Sequence, residues 1–198
     1  MSLKDLDIKE VSYFKLNNEV NRPVDGKIPL NKDKEALAAF LDENVKPNLK
    51  HFDSILAKID YLVANDYLEE GFIDKYPRQF ISDLYQRLVD NHFQFQSFMA
   101  AYKFYNQYAM KTNDSAEYLE NIEERVLFNA LYFADGDQTL ATNIADEVIN
   151  QRYQPATPSF LNAGRARRGE FVSCFLIQLT LSLIPISEPT RQAEISYA

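Results

Sequence analysis

Gln154-Pro-Ala-Thr-Pro-Ser-Phe-Leu-Asn-Ala-Gly164, then Arg165-Ala-Arg-Arg-Gly169, then Glu170-Phe-Val-Ser-Cys-Phe-Leu-Ile177 is the stretch on which the fold turns. A Pro/Gly-rich loop, a basic link and an apolar run follow one another, and the sole cysteine, Cys174, sits inside the apolar run. Phe171 to Leu179 is nearly continuous in apolar residues and of strand length, the pattern of a strand buried on both faces. Upstream of Gln151 the pattern is helical instead. The boundary between an all-helical region and the start of a sheet therefore falls here.

Working back from that boundary, the chain reads as a series of helices. Asp137 caps a helix that ends near Asn150, and Asp135-Gly136-Asp137 separates it from a long helix ending near Ala134. Asp114 with Glu117 three residues on has the form of a capping box for that long helix. Ser97 caps a helix carrying Phe98, Ala101, Tyr102, Tyr105 and Tyr108, and Pro77 opens one with Phe80, Ile81, Leu84, Tyr85 and Leu88 facing inward. The clearest amphipathic stripe is Phe52, Ile55, Leu56, Ile59, Leu62 and Val63, with Pro47 placed to begin its helix. A further helix begins at Asn31 or Lys32, with Ala36, Leu37, Phe40 and Leu41 on one face. The first thirty residues show little periodicity and read as an arm with one short hairpin at Asp25-Gly26.

Bulk properties exclude several classes. The 198 residues are 46% hydrophobic and 13% aromatic, enough for a core, and carry a net charge of −8, which argues against a nucleic-acid or anionic-membrane binder. One cysteine excludes an internal disulfide framework, and one cysteine with two distant histidines, His51 and His92, leaves no cysteine- or histidine-based metal site. No apolar run has the length of a membrane span, and Met1-Ser-Leu-Lys-Asp-Leu-Asp lacks a signal-peptide core, so a cytoplasmic location is expected.

The order Thr157-Pro158, Asn162-x-Gly164, Arg167-Arg168-Gly169-Glu170, Ser173-Cys174-Phe175 resembles the start of the catalytic barrel in the large subunit of ribonucleoside-diphosphate reductases, most closely class Ib. The likeness extends over roughly residues 13 to 179, through Phe98-Met99, Lys103-Phe104-Tyr105, Lys111-Thr112-Asn113-Asp114 and Phe133-Ala134-Asp135-Gly136-Asp137. It implies a mainly α fragment divided into an arm with a remnant of an ATP cone (1–30), a helical N-terminal domain (31–151), and the first strand of an otherwise missing ten-stranded α/β barrel (152–180). Residues 181–198, beginning Leu181-Ser-Leu-Ile-Pro-Ile-Ser-Glu-Pro, depart from the family pattern and resemble a translated sequencing adapter; they are set aside from fold reasoning.

The resemblance also implies chemistry. A lone cysteine in an apolar strand is by composition a small buried hydrophobe. In the family the cysteine at the position of Cys174 lies under the substrate ribose as one of two redox-active thiols, and protonates the departing 2′-hydroxyl. Thr157 and Ser173 read on composition as turn and backbone-bonding residues; by resemblance they contact the substrate diphosphate or ribose. Arg165, Arg167 and Arg168 suit either a phosphate contact or pairing with acidic neighbours.

The radical cysteine, the disulfide partner and the assisting carboxylate lie downstream in the family, so the 198 residues alone are expected to be inactive. No cofactor is expected in this subunit. The implied partners are a radical-generating, metal-containing small subunit, a glutaredoxin-like or thioredoxin reductant, ribonucleoside diphosphate substrates and a second large subunit, with ATP and deoxynucleotides as allosteric effectors. The alternative is a free-standing helical interaction module in which Cys174 is structural.

Overall fold

The structure, a computed structural model, describes residues 11–20 and 22–174. Nine α-helices occur among them: α1 (Ser12–Val20), α2 (Leu30–Phe40), α3 (Ile55–Ala64), α4 (Glu70–Ile73), α5 (Arg78–Asp90), α6 (Phe98–Lys103), α7 (Ile122–Ala134), α8 (Gln138–Ile149) and α9 (Thr157–Asn162). Wider π-helical turns at Leu41–Val45 and Phe104–Tyr108 extend α2 and α6. Extended pairing among the described residues is limited to isolated bridges, such as Leu49 and Lys111 on either side of Tyr118.

Helix α7 is the axis of the fold. Every residue from Glu124 to Leu131 is buried, and α4, α5, α8 and α9 all pack against it. A helix enclosed all round is a core helix rather than an amphipathic surface one. Its partners bury single faces: Ile81, Leu84 and Leu88 of α5, and Ala141, Ala145, Val148 and Ile149 of α8. At the other end α1, α2 and α6 enclose an aromatic cluster of Tyr13, Phe14, Phe40, Phe98 and Tyr102, with ring centroids 4.9 to 6.1 Å apart. The aromatic run after Phe93 is thus packing. One hydrophobic cluster runs from Tyr13 to Phe160.

Several expectations hold in detail. Asp25 and Gly26 both have positive φ (51° and 74°), and Val24 pairs with Lys27 across them, giving the hairpin expected of Asp-Gly. Ser97 and Asp137 cap α6 and α8 by accepting from Ala100 and Leu140. Asp135 ends α7 in the left-handed conformation.

Four local readings are corrected. Residues 12–20 form a helix, because Tyr13 inserts into the aromatic cluster and supplies by tertiary packing what the sequence lacks in periodicity. Pro47 lies in a 3₁₀ turn, Lys46–Asn48, and α3 starts at Ile55 behind the Ser54 cap, which accepts from Ala57. The capping box of α7 is Asn121 with Glu124; Asp114 instead folds its own loop, accepting from Thr112 Oγ1 and Ala116 N. Finally, Thr157–Asn162 is a helix where a loop was expected, since Pro158 in its first turn lacks only an N–H that the helix would leave unpaired.

Candidate functional site

The three sequence-nominated residues lie on α9 and the segment that leaves it. Phe160 of α9 is buried and its carbonyl accepts from Asn129 Nδ2 at 3.0 Å. The carbonyl of Ala163 accepts from the Arg125 guanidinium on α7. Both bonds satisfy carbonyls that a helix end leaves open, so α7 fixes the position and direction of α9. Thr157 stays exposed at its start, with Oγ1 3.2 Å from the Tyr108 hydroxyl.

After α9 the chain turns at Gly164 (φ 74°), and Gly164 to Ala166 lies along Tyr67 to Glu69. Glu69 N donates to Gly164 O at 2.9 Å and Ala166 N donates to Tyr67 O at 3.1 Å. Each arginine that follows meets a carboxylate. Arg165 lies 3.3 Å from Glu120, Arg167 lies 2.9 Å from Asp66, and Arg168 pairs with Glu69 while covering the rings of Tyr132 and Phe171. Of the two readings of the basic cluster, pairing with acidic neighbours is what the fold contains.

Behind Arg165 the charges are fully buried. Glu120 accepts from Met110 N at 2.9 Å and lies 3.3 Å from Arg125. Burial pulls the Arg125 guanidinium down to about 10; Glu120 opposes that fall and Arg165 adds to it. The sequence offered no local signal for this group: Glu120 and Arg125 are two of four charged residues, with Glu123 and Glu124, in the stretch from Tyr118 to Ala134.

Asn162 then organises the approach to the cysteine. Its Oδ1 accepts from Gly169 N at 3.1 Å and its Nδ2 donates to Glu170 O at 3.0 Å. Phe171 packs on Tyr132 and Phe133, with centroids 5.6 and 5.9 Å away. Val172, Ser173 and Cys174 are exposed, and Ser173 Oγ lies 3.7 Å from Cys174 Sγ. Phe171 to Cys174 has no strand conformation, because nothing among the described residues pairs with its backbone. The rest of the expected strand, Phe175 to Leu179, lies outside the described residues, as do residues 181–198. Ser173 and Cys174 are therefore adjacent, whereas Thr157 bonds to Tyr108 and to neither of them.

His51 and His92 are both exposed. Among the described residues no three His, Cys, Asp or Glu side chains gather as a metal site, and no helix is long and apolar enough to cross a membrane.

The helical region matches two known family models in sequence. The family model "Ribonucleotide reductase N-terminal" matches residues 13–93, and "Ribonucleotide reductase, all-alpha domain" matches residues 94–168. The chain belongs to the ribonucleotide reductase family and carries the N-terminal helical region of its large subunit.

It is 48% identical over 176 residues to the ribonucleoside-diphosphate reductase NrdEB subunit alpha of Bacillus subtilis, covering 89% of this chain and 16% of that protein. A second ribonucleoside-diphosphate reductase subunit alpha of that organism is 46% identical over 175 residues, 88% of this chain and 25% of the relative. The Mycoplasma pneumoniae subunit alpha is 42% identical over 168 residues, 85% of this chain and 23% of the relative. The chain thus spans about a quarter or less of the length of these relatives.

Proposed function

We propose that this chain serves as the N-terminal part of a class Ib ribonucleoside-diphosphate reductase large subunit, acting in the cytoplasm, with Cys174 as one of its two redox-active thiols. The observation that carries the reading is the exposed Cys174, presented beyond a segment anchored by Asn162 and by three arginine–carboxylate pairs. A structural cysteine is a buried one; the exposure of Cys174 supports a reactive role instead. The relatives' names, ribonucleoside-diphosphate reductase subunit alpha, support the substrate class.

In the reaction the 2′-hydroxyl of a ribonucleoside diphosphate leaves as water, taking a proton from Cys174. Carbon 2′ takes two electrons from Cys174 and a second cysteine as their sulfurs join in a disulfide, and its new hydrogen is the one the second thiol gives up; a glutaredoxin-like or thioredoxin dithiol then reduces the disulfide. The 198 residues hold one cysteine, so they cannot close that disulfide among themselves. Thr157 and Ser173 would bond the diphosphate or the ribose through short hydroxyls. The radical comes from a metal-containing small subunit, the large subunit pairs with a second copy, and ATP or deoxynucleotides set the enzyme's specificity.

The test uses the longer reductase polypeptide that this reading requires. Cys174→Ser removes steady-state reduction of a ribonucleoside diphosphate while helical circular dichroism is retained. Undiminished turnover with a dithiol reductant removes Cys174 from the mechanism.

A further inference from the structure

Lys111, Arg165 and Arg167 surround a cleft of about 170 Å³ between the loop after α3 and the loop before α7. A water needs only about 10–15 Å³ of such space, so the cleft has ample room for a phosphate group. Asp66, Tyr67 and Asn113 complete the wall.

The charges here do not balance. Arg167 is matched by Asp66 at 2.9 Å, but Glu120 stands alone against both Arg125 and Arg165, each at 3.3 Å. Lys111 has no carboxylate partner among the described residues. Its ammonium lies 5.2 Å from the Tyr118 ring centroid and donates only a long bond, 3.4 Å, to Asn106 O. Four cations and two carboxylates leave a local charge of +2 in a chain of net −8. Burial alone pulls the Lys111 ammonium below its ordinary range, with no nearby carboxylate restoring it.

A donor is available as well as charge. Tyr67 accepts from Asn113 N at 3.2 Å, and among the described residues nothing accepts the tyrosine's own proton. We propose that this cleft binds a dianionic phosphate group, free or as a monoester, between the ammonium of Lys111 and the guanidinium of Arg167, with Tyr67 donating its hydroxyl proton. Guanidinium and ammonium donors to phosphate form the stronger, charge-assisted class of hydrogen bond. The site is separate from Thr157, Ser173 and Cys174 and stands whatever their roles.

The experiment titrates inorganic phosphate, and in a second arm phenyl phosphate, into the 198-residue chain by calorimetry at pH 8, with ionic strength held by sodium chloride. Saturable binding of inorganic phosphate is expected. Phenyl phosphate binding equally well identifies a monoester as an acceptable ligand, and exclusion of it identifies the free ion. Lys111→Met keeps the side-chain stem on Tyr118 but removes the charge, and weakens binding about tenfold or more.

Asp66→Asn works in the opposite direction. It removes the carboxylate that competes for Arg167, at a backbone position (φ 60°) that asparagine accepts readily, and tightens binding about two- to fivefold. A folding defect does not tighten binding, so this variant decides the matter even if Lys111→Met is unstable. Phosphate heats no larger than those of chloride, or Asp66→Asn and Lys111→Met both binding as the parent does, overturn the site.

Discussion

Gly164→Ala isolates the contact on which the loop toward Cys174 depends. Two costs arise at this position. Gly164 has φ 74°, a left-handed conformation that costs an L-residue roughly 1–2 kcal/mol. A methyl group there would also lie 2.6 Å from Phe72 Cζ and 2.8 Å from Cε1. Phe72 is 5% exposed and packs edge-on against Tyr132 at 5.6 Å, so its ring yields only by displacing another buried side chain. Overpacking of this kind adds roughly 1–3 kcal/mol.

The sum, about 2–5 kcal/mol, corresponds to a fall in thermal midpoint of roughly 4–20 °C at about 2–4 °C per kcal/mol for a chain of this size. Two other glycines separate the contributions. Gly26 has the same φ of 74° with nothing within 4 Å of the added methyl, so Gly26→Ala carries the backbone cost alone, a fall of about 2–8 °C. Gly71, in α4 with open space around it, should gain about 0.5–1 kcal/mol as alanine. Thermal unfolding followed by circular dichroism at 222 nm orders the series. If Gly164→Ala loses no more than Gly26→Ala, the Phe72 contact is not as described and the steric argument fails.

The alkaline limit and the helix cap provide further tests. Burial, reinforced by nearby carboxylates, raises Tyr85 and Tyr105 far above 10, and burial with Tyr13 and Tyr102 raises Tyr118 to about 12. The unfolded chain releases these protons near pH 10, so their contribution is intact below pH 10 and is lost as pH rises toward 12 and beyond. Arg125, lowered to about 10, acts in the opposite sense, but three tyrosines outweigh it. The urea midpoint should therefore fall between pH 9.5 and 11 together with a tyrosinate absorbance rise at 295 nm; a constant midpoint to pH 11 refutes the burial of these phenols. Asn121→Ala should cost about 1 kcal/mol by removing the cap of α7, whereas Asp114→Ala in its exposed loop should stay within about 0.5 kcal/mol; the reverse order in urea unfolding would restore Asp114 as the cap.

The sequence by itself determined which segments are helical wherever periodicity and capping chemistry are local. The α5 stripe from Ile81 to Leu88, the Ser97 and Asp137 caps and the Asp25-Gly26 hairpin are each specified within a few residues. The order of residues from Thr157 to Cys174 pointed to the family in the same way, without any tertiary information. Tertiary structure decided what depends on distant partners. Tyr13 makes a helix of a segment without a stripe because Phe40 and Phe98 receive it.

Asn121 displaces Asp114 as the cap because Glu124, its reciprocal partner, is held by Lys58 on α3. The three arginines find Glu120, Asp66 and Glu69, two of them about a hundred residues away, and no local pattern announces such pairings. Coulomb attraction and burial act through space, so the fate of a charge is fixed only when the fold has chosen its neighbours.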